Sequence, residues 1–197
     1  MNYLAHTYLA GTADSDRLGG LLGDFVKGPL PCGLPPSLAA GVALHRRIDS
    51  YADAHPAFQR SRARVSTLRR RYAGVMVDMF YDHLLAAHWH DYSCLRLEDY
   101  SQTVYALLDA HADILPERLA QVRVWMREEN WLCSYRSLDG VGDALDRIAR
   151  YRLTRPGTLP GAIEELVADY AGFKADFSEF IRDAEAMTTA ERLQRGD

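Results

Sequence analysis

The chain has 197 residues, 48% hydrophobic and 25% charged, which is enough to bury a core and too apolar for disorder throughout. Its formal net charge of -4 gives no global attraction for nucleic acid or an anionic membrane, so an acidic partner would need a local basic patch. The three cysteines, Cys32, Cys94 and Cys133, form no C-x-x-C pair, which argues against a thiolate zinc site or a disulfide framework and fits a reducing cytoplasm.

The start, Met1 to His6, lacks the basic region of a secretory signal, and no apolar run approaches the roughly 20 residues of a membrane span. Helical periodicity dominates, with no convincing alternating strand, so the expectation is an all-α chain with one helical domain over residues 1–186 and a frayed tail over 187–197. A first helix is expected over Asn2–Ala10, stopped by Gly11, and a second from Asp14 or Ser15 to Val26, ended by Gly28-Pro29. Residues 28–36 carry four prolines and read as a rigid loop. Ser37 is a plausible N-cap for a helix to about Ala54, and Pro56 can open the next, to about Tyr72. Gly74 separates this from an apolar helix over Val75 to about Tyr92, and further helices are expected near 97–111, 116–131, 138–153 and 159–185.

Side chains with metal-ligand chemistry are concentrated. His6, Asp24, His45, Asp49, Asp53, Asp78, Asp82 and His83 all fall in the first 83 residues, on otherwise apolar segments. Asp78 and Asp82 are four apart and share a helix face, with Cβ atoms roughly 5–6 Å apart. Two like charges there repel and are costly to desolvate, and a cation would relieve both problems. The competing reading pairs each with an arginine. His45, Asp49 and Asp53 descend one face at i, i+4 and i+8, although capping competes for Asp53 and His55 near the helix end. Histidine and carboxylate ligands without thiolate suit Mn²⁺, Mg²⁺, Fe or Zn²⁺. H-E-x-x-H, E-x-x-H, the P-loop and a G-x-G-x-x-G before a helix are absent, and the glycines of 19–23 read as helix packing.

Four ordered segments resemble the acyl carrier protein phosphodiesterase family: Met1-Asn2-Tyr3-Leu4-Ala5-His6; Leu22-Gly23-Asp24-Phe25-Val26-Lys27-Gly28; Leu44-His45-Arg46-Arg47-Ile48-Asp49 through Asp53-Ala54-His55-Pro56; and Val77-Asp78-Met79-Phe80-Tyr81-Asp82-His83-Leu84-Leu85-Ala86. The resemblance implies a helical bundle distantly related to HD-domain metallohydrolases, Mn²⁺ or Mg²⁺ dependence, and holo-acyl carrier protein as substrate. The implied products are the apo-protein and 4'-phosphopantetheine. HD-type sites carry an adjacent His-Asp pair; here the order is Asp82-His83, and the literal His90-Asp91 sits among polar residues at a helix end. The expected ligands are Asp24, His45, Asp78 and Asp82, then Asp49 and His83, with His6 either supporting the site or simply buried. Lys27 and Arg46 are candidates for phosphate contacts, against helix-terminus compensation for Lys27 and an ion pair for Arg46.

From Ala54 to Val77 the chain has no Asp or Glu and six arginines. On one continuous helix, Phe58, Val65, Leu68 and Tyr72 would form an apolar stripe, flanked on one edge by Arg60, Arg64 and Arg71. A solvated basic face is the ordinary reading. With an acidic carrier protein implied as substrate, Arg60, Arg64 and Arg71 become candidates for docking it. Two rivals stand: an HD-type phosphohydrolase acting on nucleotides, and a non-catalytic helical binding module whose carboxylates pair with Arg46, Arg47 and Arg69 to Arg71.

Overall fold

The computed structural model describes residues 2–151 and 157–195. Among these residues the ordered elements are α-helices and two 3₁₀ turns, and no strand occurs. The helices are α1 (Tyr3–Leu9), α2 (Asp14–Leu22), α3 (Pro36–Ala54), α4 (Pro56–Arg64), α5 (Ala73–Ala87), α6 (Leu97–Ala110), α7 (Glu117–Glu128), α8 (Trp131–Ser134), α9 (Leu138–Tyr151), α10 (Ile163–Ala168) and α11 (Tyr170–Arg195). No helix among the described residues is long and apolar enough to cross a membrane.

α5 is the apolar centre. Met76, Val77, Phe80, Tyr81, Leu84 and Leu85 are fully buried, and the helix packs against α1, α4, α9 and α11. α2 and α3 form the closest pair. A Cβ on Gly19 would lie 2.3 Å from the Gly41 carbonyl carbon, so two glycines allow the backbones to touch. That contact brings the end of α2 beside the middle of α3, where His45 lies.

Several boundaries differ from expectation for identifiable reasons. α2 ends at Leu22, because the chain turns tightly there and both Phe25 and Val26 N–H donate to the Leu22 carbonyl. Proline opens α3 directly, with Pro36 at its first position. α4 stops at Arg64 instead of reaching Tyr72: Val65 is extended, with ψ 131°, and a 3₁₀ turn covers Arg70–Tyr72. The break is pinned by Glu165, which accepts from both the Ser66 N–H and the Ser66 hydroxyl. The four-residue stripe therefore does not form on one helix, and Leu68 is 62% exposed.

Gly74 lies inside α5, which ends at Ala87, followed by the 3₁₀ turn Trp89–Asp91. The 116–131 segment divides into α7 and α8 at Asn130, whose φ is +46°. The 159–185 segment divides at Asp169 into α10 and α11. α11 then continues to Arg195, through most of the expected tail. Arg192 donates to the Leu9 carbonyl and Arg195 to the buried Asp16 carboxylate, each at 2.6 Å. Residues 152–153 and 196–197, the ends of the helix expected over 138–153 and of the expected tail, lie outside the described residues.

Candidate metal centre

Three segments converge at one point. α1 supplies His6, the turn after α2 supplies Asp24, and α3 supplies His45 and Asp49. His6 Nε2 lies 3.1 Å from Asp49 Oδ1, and His45 Nε2 lies 3.2 Å from Asp49 Oδ2 and 3.9 Å from Asp24 Oδ1. The two imidazoles stack, with centroids 3.7 Å apart and planes inclined by 17°. A ligand atom from each of His6, His45 and Asp49 lies within 4.8 Å of the others, a grouping that can hold a metal ion.

His45 is oriented by its backbone surroundings. Its Nδ1 is 2.8 Å from the Gly20 carbonyl, which only accepts, so Nδ1 carries the proton in the neutral ring and Nε2 carries the lone pair. That lone pair faces the Asp49 and Asp24 carboxylates, a repulsive arrangement until a proton or a cation lies between them. Gly23 leaves room for the ring: a Cβ there would sit 2.1 Å from His45 Cγ. Asp24 and Asp49 are about a third and two-fifths exposed, with side-chain values of 32% and 43%, so the cluster opens to solvent on their side.

Electrostatics point the same way. Burial, together with neighbouring His45, pushes the His6 imidazole down to about 4, so it is neutral at physiological pH. Neither ring nitrogen of His6 has a well-aligned hydrogen bond despite being buried, and a buried polar atom in that state favours a ligand. Burial alone would raise the Asp49 carboxyl, but the His45 and His6 rings overcome this and hold it well below the usual range. Asp78 is pushed up by burial and by the charges of Asp49 and Asp24, which places it within electrostatic reach of both.

The other expected site residues lie elsewhere or have other partners. Asp82 is fully buried and spends both oxygens on backbone amides of α1, accepting from Leu4 N–H and Ala5 N–H at 2.9 Å each. His83 lies away from the cluster, with Nδ1 2.9 Å from the Tyr135 carbonyl and Nε2 3.2 Å from the Tyr170 hydroxyl. Asp53 is exposed and pairs with Arg62, while His55 caps α4 by accepting from Ala57 N–H and contacts Asp183. His90 and Asp91 form an exposed pair 3.0 Å apart. Lys27 is exposed, and Arg46 donates to the Val26 carbonyl at 3.0 Å, tying the loop after Asp24 to α3.

The arginines are mostly engaged. Arg60 pairs with Asp176 and Glu179, Arg64 with Asp176 and Asp169, and Arg69 with Glu165. Arg47 pairs with Glu191, on α11 and not at the site. Arg71 is exposed, its guanidinium 4.6 Å from the Tyr72 ring centroid. His6 joins the cluster directly. Its sequence signal was only a histidine on a short apolar helix, and the packing of α1 against α2 and α5 gives it this place.

Comparison with known proteins follows the same stretch of chain. The family model described as acyl carrier protein phosphodiesterase matches residues 1–184. A curated acyl carrier protein phosphodiesterase from Serratia proteamaculans is 34% identical over 181 residues, covering 91% of this chain and 93% of the relative. Its namesake from Photorhabdus laumondii is 33% identical, covering 91% of each. One from Yersinia pestis is 36% identical over 154 residues, covering 77% of this chain and 79% of the relative. No solved structure matches the chain significantly, so the HD-type likeness rests on sequence resemblance alone.

Proposed function

The chain belongs to the acyl carrier protein phosphodiesterase family, and from that premise we propose that it hydrolyses the phosphodiester joining 4'-phosphopantetheine to the serine of holo-acyl carrier protein. Water is consumed, the serine hydroxyl is restored, and apo-acyl carrier protein and 4'-phosphopantetheine are released. The observation that carries the reading is the His45 Nε2 lone pair held against the Asp49 and Asp24 carboxylates beside a buried His6 without a well-aligned partner. This donor set fits a divalent cation. We assign Mn²⁺ or Mg²⁺ to His6, His45 and Asp49, with Asp24 and Asp78 beside them. Bound there, the cation would neutralise charge on the phosphodiester oxygens and make a nearby water more acidic.

The chain's own groups do the rest. Neutral His6 and the Nδ1–H of His45, fixed on Gly20, keep both rings in ligand form. The partial exposure of Asp24 and Asp49 leaves the centre open on one side, where a phosphodiester on a second protein can enter. Lys27, three residues beyond Asp24, and Arg46, on α3 and bonded to the Val26 carbonyl of that loop, are the cations we assign to the phosphate oxygens. Of the arginines considered for docking, Arg71 is the exposed one not held in an ion pair among the described residues, and we assign it to the acidic carrier surface.

The test is to incubate the protein with holo-acyl carrier protein and weigh both products by mass spectrometry, with and without a chelator. Loss of the 4'-phosphopantetheine mass, blocked by chelation and restored by Mn²⁺, is expected. Intact holo-protein, with turnover of nucleotides instead, would overturn the substrate assignment.

A further inference from the structure

Asp82 is a fully buried carboxylate on α5 that the proposed chemistry does not use. Its surroundings show what it does. α1 has only seven residues, and its N-cap, Asn2, makes no side-chain capping bond. A helix this short has no stability of its own, and its first-turn amides need partners. Asp82 provides them from a distant element. Oδ2 accepts from Leu4 N–H and Oδ1 from Ala5 N–H, at 2.9 Å each. These are the second and third helical positions, which a local N-cap residue would normally satisfy one at a time.

We propose that Asp82 is a positioning residue: by holding the first turn of α1 it fixes where the next residue, His6, presents its imidazole to the cluster. The bidentate grip fixes the Tyr3–Leu4 and Leu4–Ala5 peptide units, one unit short of His6. The His6 ring stacks on His45 at 3.7 Å, so a shift of about 1 Å in α1 would break the stacking and the approach to Asp49. Asp82 thus bears on the cluster through the helix that carries His6.

This rests on the ligand role proposed for His6, but its geometric half is testable without metal. Asp82→Asn keeps the size and replaces one acceptor with an NH₂ group, so one of the two amides loses its partner. In the full chain three readouts are expected to change together. Amide exchange at Leu4 and Ala5 quickens, the ring ¹⁵N signals of His6 move while those of exposed His90 stay, and Mn²⁺ affinity falls by about 10–100-fold. Faster exchange with unmoved His6 signals and unchanged Mn²⁺ affinity would make Asp82 merely structural and overturn the proposal. If the wild-type chain binds no Mn²⁺, the metal reading fails, and the His6 signals still decide the positioning role. If Asp82→Asn does not fold, couplings across the hydrogen bonds from the Leu4 and Ala5 nitrogens to the Asp82 carboxyl carbon are sought in the wild-type protein. Their absence overturns the proposal.

Discussion

His6 and His45, from two different helices, stack at 3.7 Å and both aim Nε2 at the single Asp49 carboxylate. Asp49 is thus the carboxylate common to both rings, and its removal should affect binding more than folding. Asp49→Asn is expected to lower Mn²⁺ affinity by on the order of 100-fold and to abolish hydrolysis, with the helical circular dichroism retained. Titration calorimetry with Mn²⁺ checks this, and affinity within twofold of wild type would remove Asp49 from the centre.

Two glycines should respond oppositely to the same substitution. A Cβ at Gly23 meets the His45 ring at 2.1 Å, whereas one at Gly74 meets nothing within 4 Å. Gly23→Ala must displace His45 from Gly20 and Asp49, so turnover should drop by on the order of 100-fold. Gly74→Ala sits within α5, where alanine is the better helix former. It should leave activity intact and raise stability by up to about 1 kcal/mol. Equal turnover for the two variants would contradict the packing argument.

The arginines separate docking from folding. Arg64 is 31% exposed and binds Asp169 and the nearly buried Asp176. Arg64→Glu would place a third carboxylate among them, lowering stability by about 2 kcal/mol after allowance for solvent screening. Arg60→Glu should also lower the melting temperature, through the same Asp176. Arg71→Glu should leave melting unchanged and raise KM for holo-acyl carrier protein, with a weaker salt dependence. Unchanged KM in Arg71→Glu would remove this face from the docking surface.

The helical class and the crowding of ligands into the N-terminal half are legible in the chain because both depend on local spacing. His45 and Asp49 share a face at i, i+4, and the structure keeps them together. The place of Asp82 was not legible. It shares a face of α5 with Asp78, and its meeting with the Leu4 and Ala5 amides depends on where α1 begins. His83, about 100° further round α5, faces Tyr135 and Tyr170, which follow 52 and 87 residues later. The break after α4 depends on Glu165, 99 residues beyond Ser66. The acids that neutralise Arg60 and Arg64 are as remote, so a run of arginines read in isolation looks freer than it is.

His6 and Asp82 also make opposing contributions to stability in the metal-free protein. Burial, reinforced by His45, lowers His6 from 6.5 to about 4. Its contribution is fully present above pH 6.5 and is lost as pH falls towards 4, because the unfolded chain takes up the proton first. Burial raises Asp82 from 3.8 to about 7, with the Asp78 charge adding to the rise and the Leu4 and Ala5 amides opposing it. Its contribution is fully present below about pH 4 and is lost as pH rises through 7. Between about pH 4 and 6.5 the two slopes have opposite signs and partly cancel. Removing either group should expose the other. Asp82→Asn should grow more stable, relative to wild type, as pH rises across this window, and His6→Gln should grow less stable. Urea midpoints of chelator-treated protein, taken at both ends of the window, measure the two differences directly. Titrating groups that are not coupled to His6 or Asp82 are common to the three proteins and drop out of the comparison. Two variants moving in the same direction would mean that His6 does not enter the fold as a neutral ring or that Asp82 is ionised throughout.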